Sequence, residues 1–175
     1  MTEHTDGNTR SLTLQWTDPM LAARAAMAMS GLEYMRAMLR GEVAHPPMAV
    51  LMGIQLEEVE AGRVVVMARP GEQHYNTIGL VHGGFASTLL DSTLGCAVHS
   101  VLPPECGYGT TDLHVTFVRP LSSGTRQVRC EGKVLHHGKR LATAEGRVIG
   151  LDGKLYAHAT STCLLLPLSQ DAKSP

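Results

Sequence analysis

The run "HGGFASTLLDSTLGCAVHSVLP", from His82 to Pro103, is long, apolar and without alternation, and it stands alone among strand signals. Ala86, Leu90, Leu94, Ala97 and Val101 recur at helical spacing, and Phe85, Leu89 and Val98 put apolar groups on further faces. A helix of this kind is buried on most sides. Upstream, "GIQLEEVEAGRVVVMARP" reads as two strands around a turn at Ala61–Gly62, with β-branched residues concentrated in the second. Downstream, "TTDLHVTFVRP" alternates with Leu113, Val115 and Phe117 on one face. "RQVRCEGKVLHH" and "RLATAEGRVIGL" flank His137–Gly138–Lys139, and Asp152–Gly153 turns the chain into "KLYAHATSTCLLL". A sheet so assembled has an apolar face to cover, and the one long helix is the adequate cover. The order predicts an α+β fold: a curved antiparallel sheet wrapped around a single central helix.

Four segments follow. Residues 1–17 are polar and aperiodic, a flexible arm. Residues 18–45 form a helical extension: Asp18 is a good N-cap, Pro19 suits the first helical position, and Ala, Met and Leu favour helix. Gly31 is a point of interruption, Gly41 ends the helix, and Pro46–Pro47 mark the boundary with the main domain at 46–168. The tail 169–175 is polar and expected to be disordered.

With hydrophobic residues at 43 % and charged ones at 18 %, a full core is feasible. Fifteen basic residues face sixteen acidic ones, which gives no general attraction to nucleic acid or an anionic membrane. No apolar run reaches membrane-spanning length, and the polar start lacks a signal-peptide core. Cys96, Cys106, Cys130 and Cys163 form no CxxC pair, so reduced thiols in a cytoplasm are expected. His136–His137 and His74/His82 lack a third ligand at metal-site spacing, so no metal is expected.

Asp91 is the residue to explain, because Asp is a poor interior helix former and is rarely buried unpaired. With Thr88, Gly95 and His99 it lies on the most polar strip of the helix, and for a lone Asp the simplest reading is that this strip meets water. The preceding residues offer another. Gly83 and Gly84 begin the helix, so their N–H groups lack intrahelical acceptors and suit a developing oxyanion, although a plain tight turn explains the glycines equally well. Asn76 either bonds its own loop backbone or holds a ligand carbonyl or water.

"HYNTIGLVHGGFASTLLDSTLGCAV", then "TTDLHVTFVRP" and "HHGKRLATAEGRVIGLDGKLYAHATST", resembles the hotdog-fold acyl-CoA thioesterases of the phenylacetate-pathway (PaaI-like) type. The likeness covers about Gly31 to Leu166, and N-x5-HGG-x6-LD with the downstream RP strand and G-[KR]-R hairpin is specific in combination. It implies a hotdog fold, dimers or dimers of dimers with the site at the dimer interface, and hydrolysis of an acyl-CoA thioester. Asp91 matches the catalytic carboxylate and Gly83 the glycine whose N–H polarises the carbonyl. Asn76 matches a positioning amide, and Thr110 or Thr111 the orienting hydroxyl, with Thr110 preferred. His82 and Gly84 complete the HGG element on the substrate side, the histidine in a more structural role. Lys139 and Arg140 at a hairpin tip and Arg119 at a strand end are candidates for the CoA phosphates; solvation and an ion pair are their simpler readings.

The chemistry implied needs no cofactor, coenzyme A being part of the substrate. Asp91 acts as general base on water or as nucleophile through a mixed anhydride. The acyl group is open between aryl-acetyl and medium aliphatic chains. A non-catalytic acyl-CoA-binding module is the alternative from another class, disfavoured by Asp91 and Asn76. A hotdog dehydratase would present a different arrangement of acid and histidine.

Overall fold

A computed structural model describes residues 8–168. The expected tail at 169–175 and the first seven residues of the expected arm lie outside the described residues. Residues 8–17 carry no helix or strand, and Arg10 reaches Glu72 at 3.1 Å.

The single long helix sits where the sequence puts it. After helices α1 (Pro19–Ala28), α2 (Gly31–Leu39) and α3 (Pro47–Met52) come strands β1 (Gln55–Glu60) and β2 (Arg63–Ala68). The central helix α4 (Gly83–His99) follows, then β3 (Cys106–Phe117), β4 (Val128–His137), β5 (Leu141–Gly150) and β6 (Leu155–Pro167). The six strands form one antiparallel sheet in the order β1-β2-β4-β5-β6-β3, so β3, reached by crossing over α4, is an edge. This is the expected hotdog arrangement.

The core is the seam between α4 and the sheet. Leu89, Leu90 and Leu94 are at most 1 % exposed and lie against Val64, Val66, Val128 and Val148. Each such side chain contributes roughly 1.5–3 kcal/mol by leaving water. The helix sits low because Gly132 and Gly146 are paired across β4 and β5 beneath it. A Cβ on Gly132 would lie 2.9 Å from the Thr93 carbonyl, and one on Gly146 would lie 3.0 Å from Leu94. Side chains at this pair would lift α4 off the sheet.

Three local features depart from the sequence expectation. The N-terminal extension is two helices, α1 and α2, rather than one. Its break falls at Met29–Ser30, where Ser30 caps α2 and Glu33 returns the bond to the Ser30 backbone N–H. "SGLE" is a capping box, and its two satisfied donors outweigh continuation of the helix. Pro46–Pro47 end nothing but begin α3, with Pro47 in the first turn and Gly53 closing it at φ 63°. β3 starts at Cys106, upstream of the visible alternation, and shifts register between Thr110 and Asp112.

The extension is tied to the core at α2. Gly31 N–H donates to the Leu102 carbonyl at 3.0 Å, and a Cβ on Gly31 would lie 1.7 Å from the His99 carbonyl oxygen. Only glycine permits this contact between α2 and the end of α4. No helix of the described residues is long and apolar enough to cross a membrane.

Candidate active site

The start of α4 is built by a pinned loop. His82 donates its N–H to the His74 carbonyl at 2.7 Å, Val81 N–H reaches the Leu121 carbonyl at 3.1 Å, and the His74 ring lies 4.6 Å from that of Phe85. His82 is the N-cap of α4, and its Nδ1 accepts from Gly84 N–H at 2.8 Å. The two glycines therefore differ. Gly84 has spent its donor on the cap, whereas Gly83 N–H has no acceptor among the described residues. Gly83 borders a cleft of about 290 Å³ with Phe117, Arg119, Leu121 and Tyr156. An unpaired donor at a helix N-terminus, backed by the helix dipole, is suited to a partial negative charge.

Asn76 is engaged within its own loop. Its Oδ1 accepts from Ile78 N–H at 3.0 Å and Leu80 N–H at 3.1 Å, which shapes the turn leading to Val81. Only its amide NH₂ remains to address another group.

Asp91 lies two turns along α4 and is half-buried. The Thr110 hydroxyl donates to its Oδ1 at 2.9 Å, whereas the Thr111 hydroxyl turns to the Thr162 carbonyl at 3.0 Å. Strict alternation would have put Thr111, not Thr110, on the face of Leu113, Val115 and Phe117. The bulge at Thr111 resets the phase, because Thr110 pairs with Cys163 while Asp112 already pairs with Thr162. The polar strip of α4 accordingly faces β3 and not open water. A Cβ on Gly95 would lie 2.5 Å from the Tyr108 hydroxyl, and the His99 ring lies 5.8 Å from that of Tyr108. A glycine in mid-helix was the one sequence signal for Tyr108, since such a residue marks a close approach.

Around Asp91, low polarity and the carboxylate charge act together. Burial, and secondarily Asp91, push the Cys96 thiol up to about 12, so it is protonated and inert at neutral pH. Burial likewise holds the Tyr108 phenol well above its usual value, so it remains a hydrogen-bond donor. Burial lowers the pKa of His99, which favours neutral imidazole.

The three basic candidates separate. Arg119 borders the Gly83 cleft, where its Nη1 donates to the Leu155 carbonyl at 2.7 Å rather than to a carboxylate. Lys139 and Arg140 lie at the opposite end of the sheet, on the β4–β5 turn, in a cleft of about 560 Å³ shared with Leu102, Cys106 and Leu166. Ala142, Cys163 and Thr110 lie in one row across β5, β6 and β3. Arg140 is thus about 12 Å from Thr110 along the sheet lattice. Among the described residues, no group of three or more His, Cys, Asp or Glu is arranged to hold a metal.

Comparison with known proteins identifies the family. The thioesterase superfamily model matches residues 78–157, from the loop before α4 to the start of β6. The human protein named acyl-coenzyme A thioesterase 13 is 31 % identical over 114 residues, 65 % of this chain and 80 % of that one. The chain belongs to the thioesterase superfamily. It is an enzyme that hydrolyses thioesters. Among solved structures, the phenylacetic acid degradation-related protein of Ralstonia eutropha JMP134 superposes with TM-score 0.68 at 28 % identity, over 74 % of this chain and 97 % of that one. The E. coli PaaI protein shares the fold at TM-score 0.68 and 20 % identity, over 79 % and 96 %.

Proposed function

We propose that this thioesterase hydrolyses acyl-CoA esters at a site shared between two copies of the chain, with Gly83 from one and Asp91 from the other. The observation that carries the reading is the spacing of the two groups. Gly83 and Asp91 lie on one helix, about 12 Å apart at 1.5 Å per residue. Attack on a carbonyl needs the attacking group within about 3–3.5 Å and the donor at hydrogen-bond distance. One helix cannot serve both at once, but an antiparallel partner helix can.

The free edge supports such a partner. β3 is twelve residues long and, among the described residues, unpaired on its outer side. Leu113 and Val115 are only half-buried, and Phe117 is 56 % exposed. Phe117 marks the position of Gly83, since a Cβ there would lie 3.1 Å from its ring, and Thr110 marks Asp91. Antiparallel pairing of β3 with its copy about His114 sets Leu113 opposite the partner's Val115. It sets the Thr110–Thr111 bulge opposite the partner's Phe117. Every pair then shares a face, as strand pairing requires, and the partner's Asp91 arrives beside Gly83. An isologous dimer of this kind has two sites.

In each site the thioester carbonyl docks on Gly83 N–H, with Asn76 NH₂ and His82 at the loop. Asp91, held by Thr110, either takes a proton from the attacking water or attacks the carbonyl carbon to form an anhydride that water then cleaves. Either way the CoA thiolate leaves with a proton. Arg119, Lys139 and Arg140 are the cations available to the CoA phosphates. A non-catalytic acyl-CoA-binding role has no need of an aligned Asp91–Thr110 pair.

Mixed dimers test this reading. Gly83→Pro removes the donor and Asp91→Asn removes the base or nucleophile, the latter costing about 100- to 10,000-fold. Co-refolding the two variants makes about half the dimers mixed, each with one intact and one doubly damaged site. About a quarter of wild-type thiol release from acyl-CoA should return. No return from demonstrated mixed dimers would overturn the shared site, and full activity of folded Asp91→Asn would overturn the role of Asp91.

A further inference from the structure

The residues from His74 to His82 form a small antiparallel hairpin ahead of α4. Tyr75 bridges Val81, Asn76 N–H donates to the Leu80 carbonyl at 2.7 Å, and His82 N–H donates to the His74 carbonyl at 2.7 Å. Gly79 turns the chain at φ 78°. Asn76 Oδ1 accepts from Ile78 and Leu80 N–H, so its amide plane is fixed to the hairpin backbone. Where the hairpin points, the Asn76 NH₂ points with it.

Among the described residues, hydrogen bonds hang this hairpin on the β3–β4 connection at two places. One is the backbone bond from Val81 N–H to the Leu121 carbonyl, at 3.1 Å. The other is a side-chain clasp. The Tyr75 hydroxyl donates to Ser123 Oγ at 2.8 Å and accepts from Ser123 N–H at 3.1 Å, so it spends both bonding functions on one residue. The connection is a firm anchor. Val118 and Arg119 N–H both donate to the Tyr156 carbonyl, Leu121 is buried, and Ser122 N–H closes the turn onto Thr125 Oγ1 at 3.0 Å. Val81 secures the arm that leads into Gly83, and Tyr75 secures the arm that carries Asn76. A hairpin bonded at one point can pivot about it; bonded at two, it is fixed.

We propose that Tyr75 is a positioning residue of this enzyme, whose clasp on Ser123 sets the direction of the Asn76 NH₂ at the reacting thioester. The proposal rests on the reading above in which Asn76 addresses the docked thioester, and it adds what holds the amide there. The Tyr75 ring is half-buried against the core, whereas its hydroxyl bonds an exposed residue. Loss of the hydroxyl therefore keeps the packing and lets water satisfy Ser123, and orientation is what disappears. A misplacement of about 1 Å at a reacting group costs about 10²-fold.

Tyr75→Phe should lower kcat about 10- to 100-fold for phenylacetyl-CoA or octanoyl-CoA, with KM within about twofold, because a misdirected donor is missed most in the transition state. Ser123→Ala keeps the N–H and loses only the hydroxyl, so it should cost less than Tyr75→Phe and add nothing to it. Asn76→Asp keeps the oxygen that shapes the hairpin and deletes the NH₂. On that impaired background Tyr75→Phe should cost less than about twofold, whereas a residue that only supported the fold would cost the same factor on both backgrounds. An impaired Asn76→Asp with equal Tyr75→Phe losses on both backgrounds would overturn the proposal alone, as would a rise in KM without a fall in kcat. Full activity of Asn76→Asp would overturn the reading of Asn76 and the proposal with it. Nitrogen-15 spectra of the free protein need no turnover: the Asn76 side-chain NH₂ signals should shift or broaden in folded Tyr75→Phe. Unchanged signals would overturn the proposal whatever the substrate.

Discussion

Replacing Gly83 with proline deletes one hydrogen-bond donor while asking little of the fold. Gly83 is the first residue of α4, the position where proline is tolerated because its N–H has no partner within the helix. His82 already holds φ −59° and ψ 138°, the extended conformation that a following proline favours. The nearest obstacle is the Phe117 ring, 3.1 Å from a Cβ at this position, and Phe117 is 56 % exposed and able to swing away. Stability should therefore change by no more than about 1 kcal/mol. Loss of one oxyanion donor costs about 10²- to 10³-fold in kcat, or about 2.7–4 kcal/mol of transition-state stabilisation. Gly83→Ala is the control, because it brings the same Cβ toward Phe117 and keeps the N–H. The assay is release of free CoA thiol by both variants, with circular dichroism and thermal melts to establish that each is folded. Proline should fall at least tenfold below alanine. Equal activities of the two folded variants would refute the assignment of Gly83 N–H as the donor.

Thr110→Val removes the hydroxyl that holds Asp91 and should lower kcat about 10- to 100-fold, the usual range for a hydrogen bond to a charged group. Thr111→Val removes only a bond to the Thr162 carbonyl, so a larger loss there than at Thr110 would reverse the reading of the bulge. Gly31→Ala drives a methyl group into the His99 carbonyl and should destabilise the protein by about 1–3 kcal/mol; an unchanged melting temperature would mean that α2 does not pack closely on α4. Acidification should also destabilise. Burial lowers the pKa of His45, His74 and His99 below the ordinary 6.5, so between the folded and unfolded values the unfolded chain binds more protons. Stability is then full above about 6.5 and falls as the pH drops toward the folded values. A melting temperature that is flat or rises from pH 7 to pH 5 would contradict this sign.

Residue order was enough for the long helix, most of the strands and the turns at Ala61–Gly62, His137–Lys139 and Asp152–Gly153. Apolar periodicity and turn chemistry are local properties, and a sheet with one apolar face has few other ways to be covered. Asp91 and the paired glycines were legible as a chemical question for the same reason, since a carboxylate in an apolar helix and two donors at its start are odd in any fold. Two local signals were also present in the letters, the capping box "SGLE" and Pro47 with Gly53, but their effect depends on what α2 and α3 pack against. The answer to the question at Asp91 required three dimensions. The family likeness left Thr110 and Thr111 both open with Thr110 preferred, and only the bulge against β6 brings the Thr110 hydroxyl to the carboxylate, because register belongs to a pair of strands and not to one. Gly83 and Gly84 are equivalent in sequence until the His82 ring turns back and takes the donor of the second. The strip of Thr88, Asp91, Gly95 and His99 has the polarity of a solvent face, yet Tyr108 and Tyr34 close over its far end. Which face of a helix meets water is settled by the elements that fold over it, and those come from β3 on one side and from an N-terminal helix sixty residues away on the other.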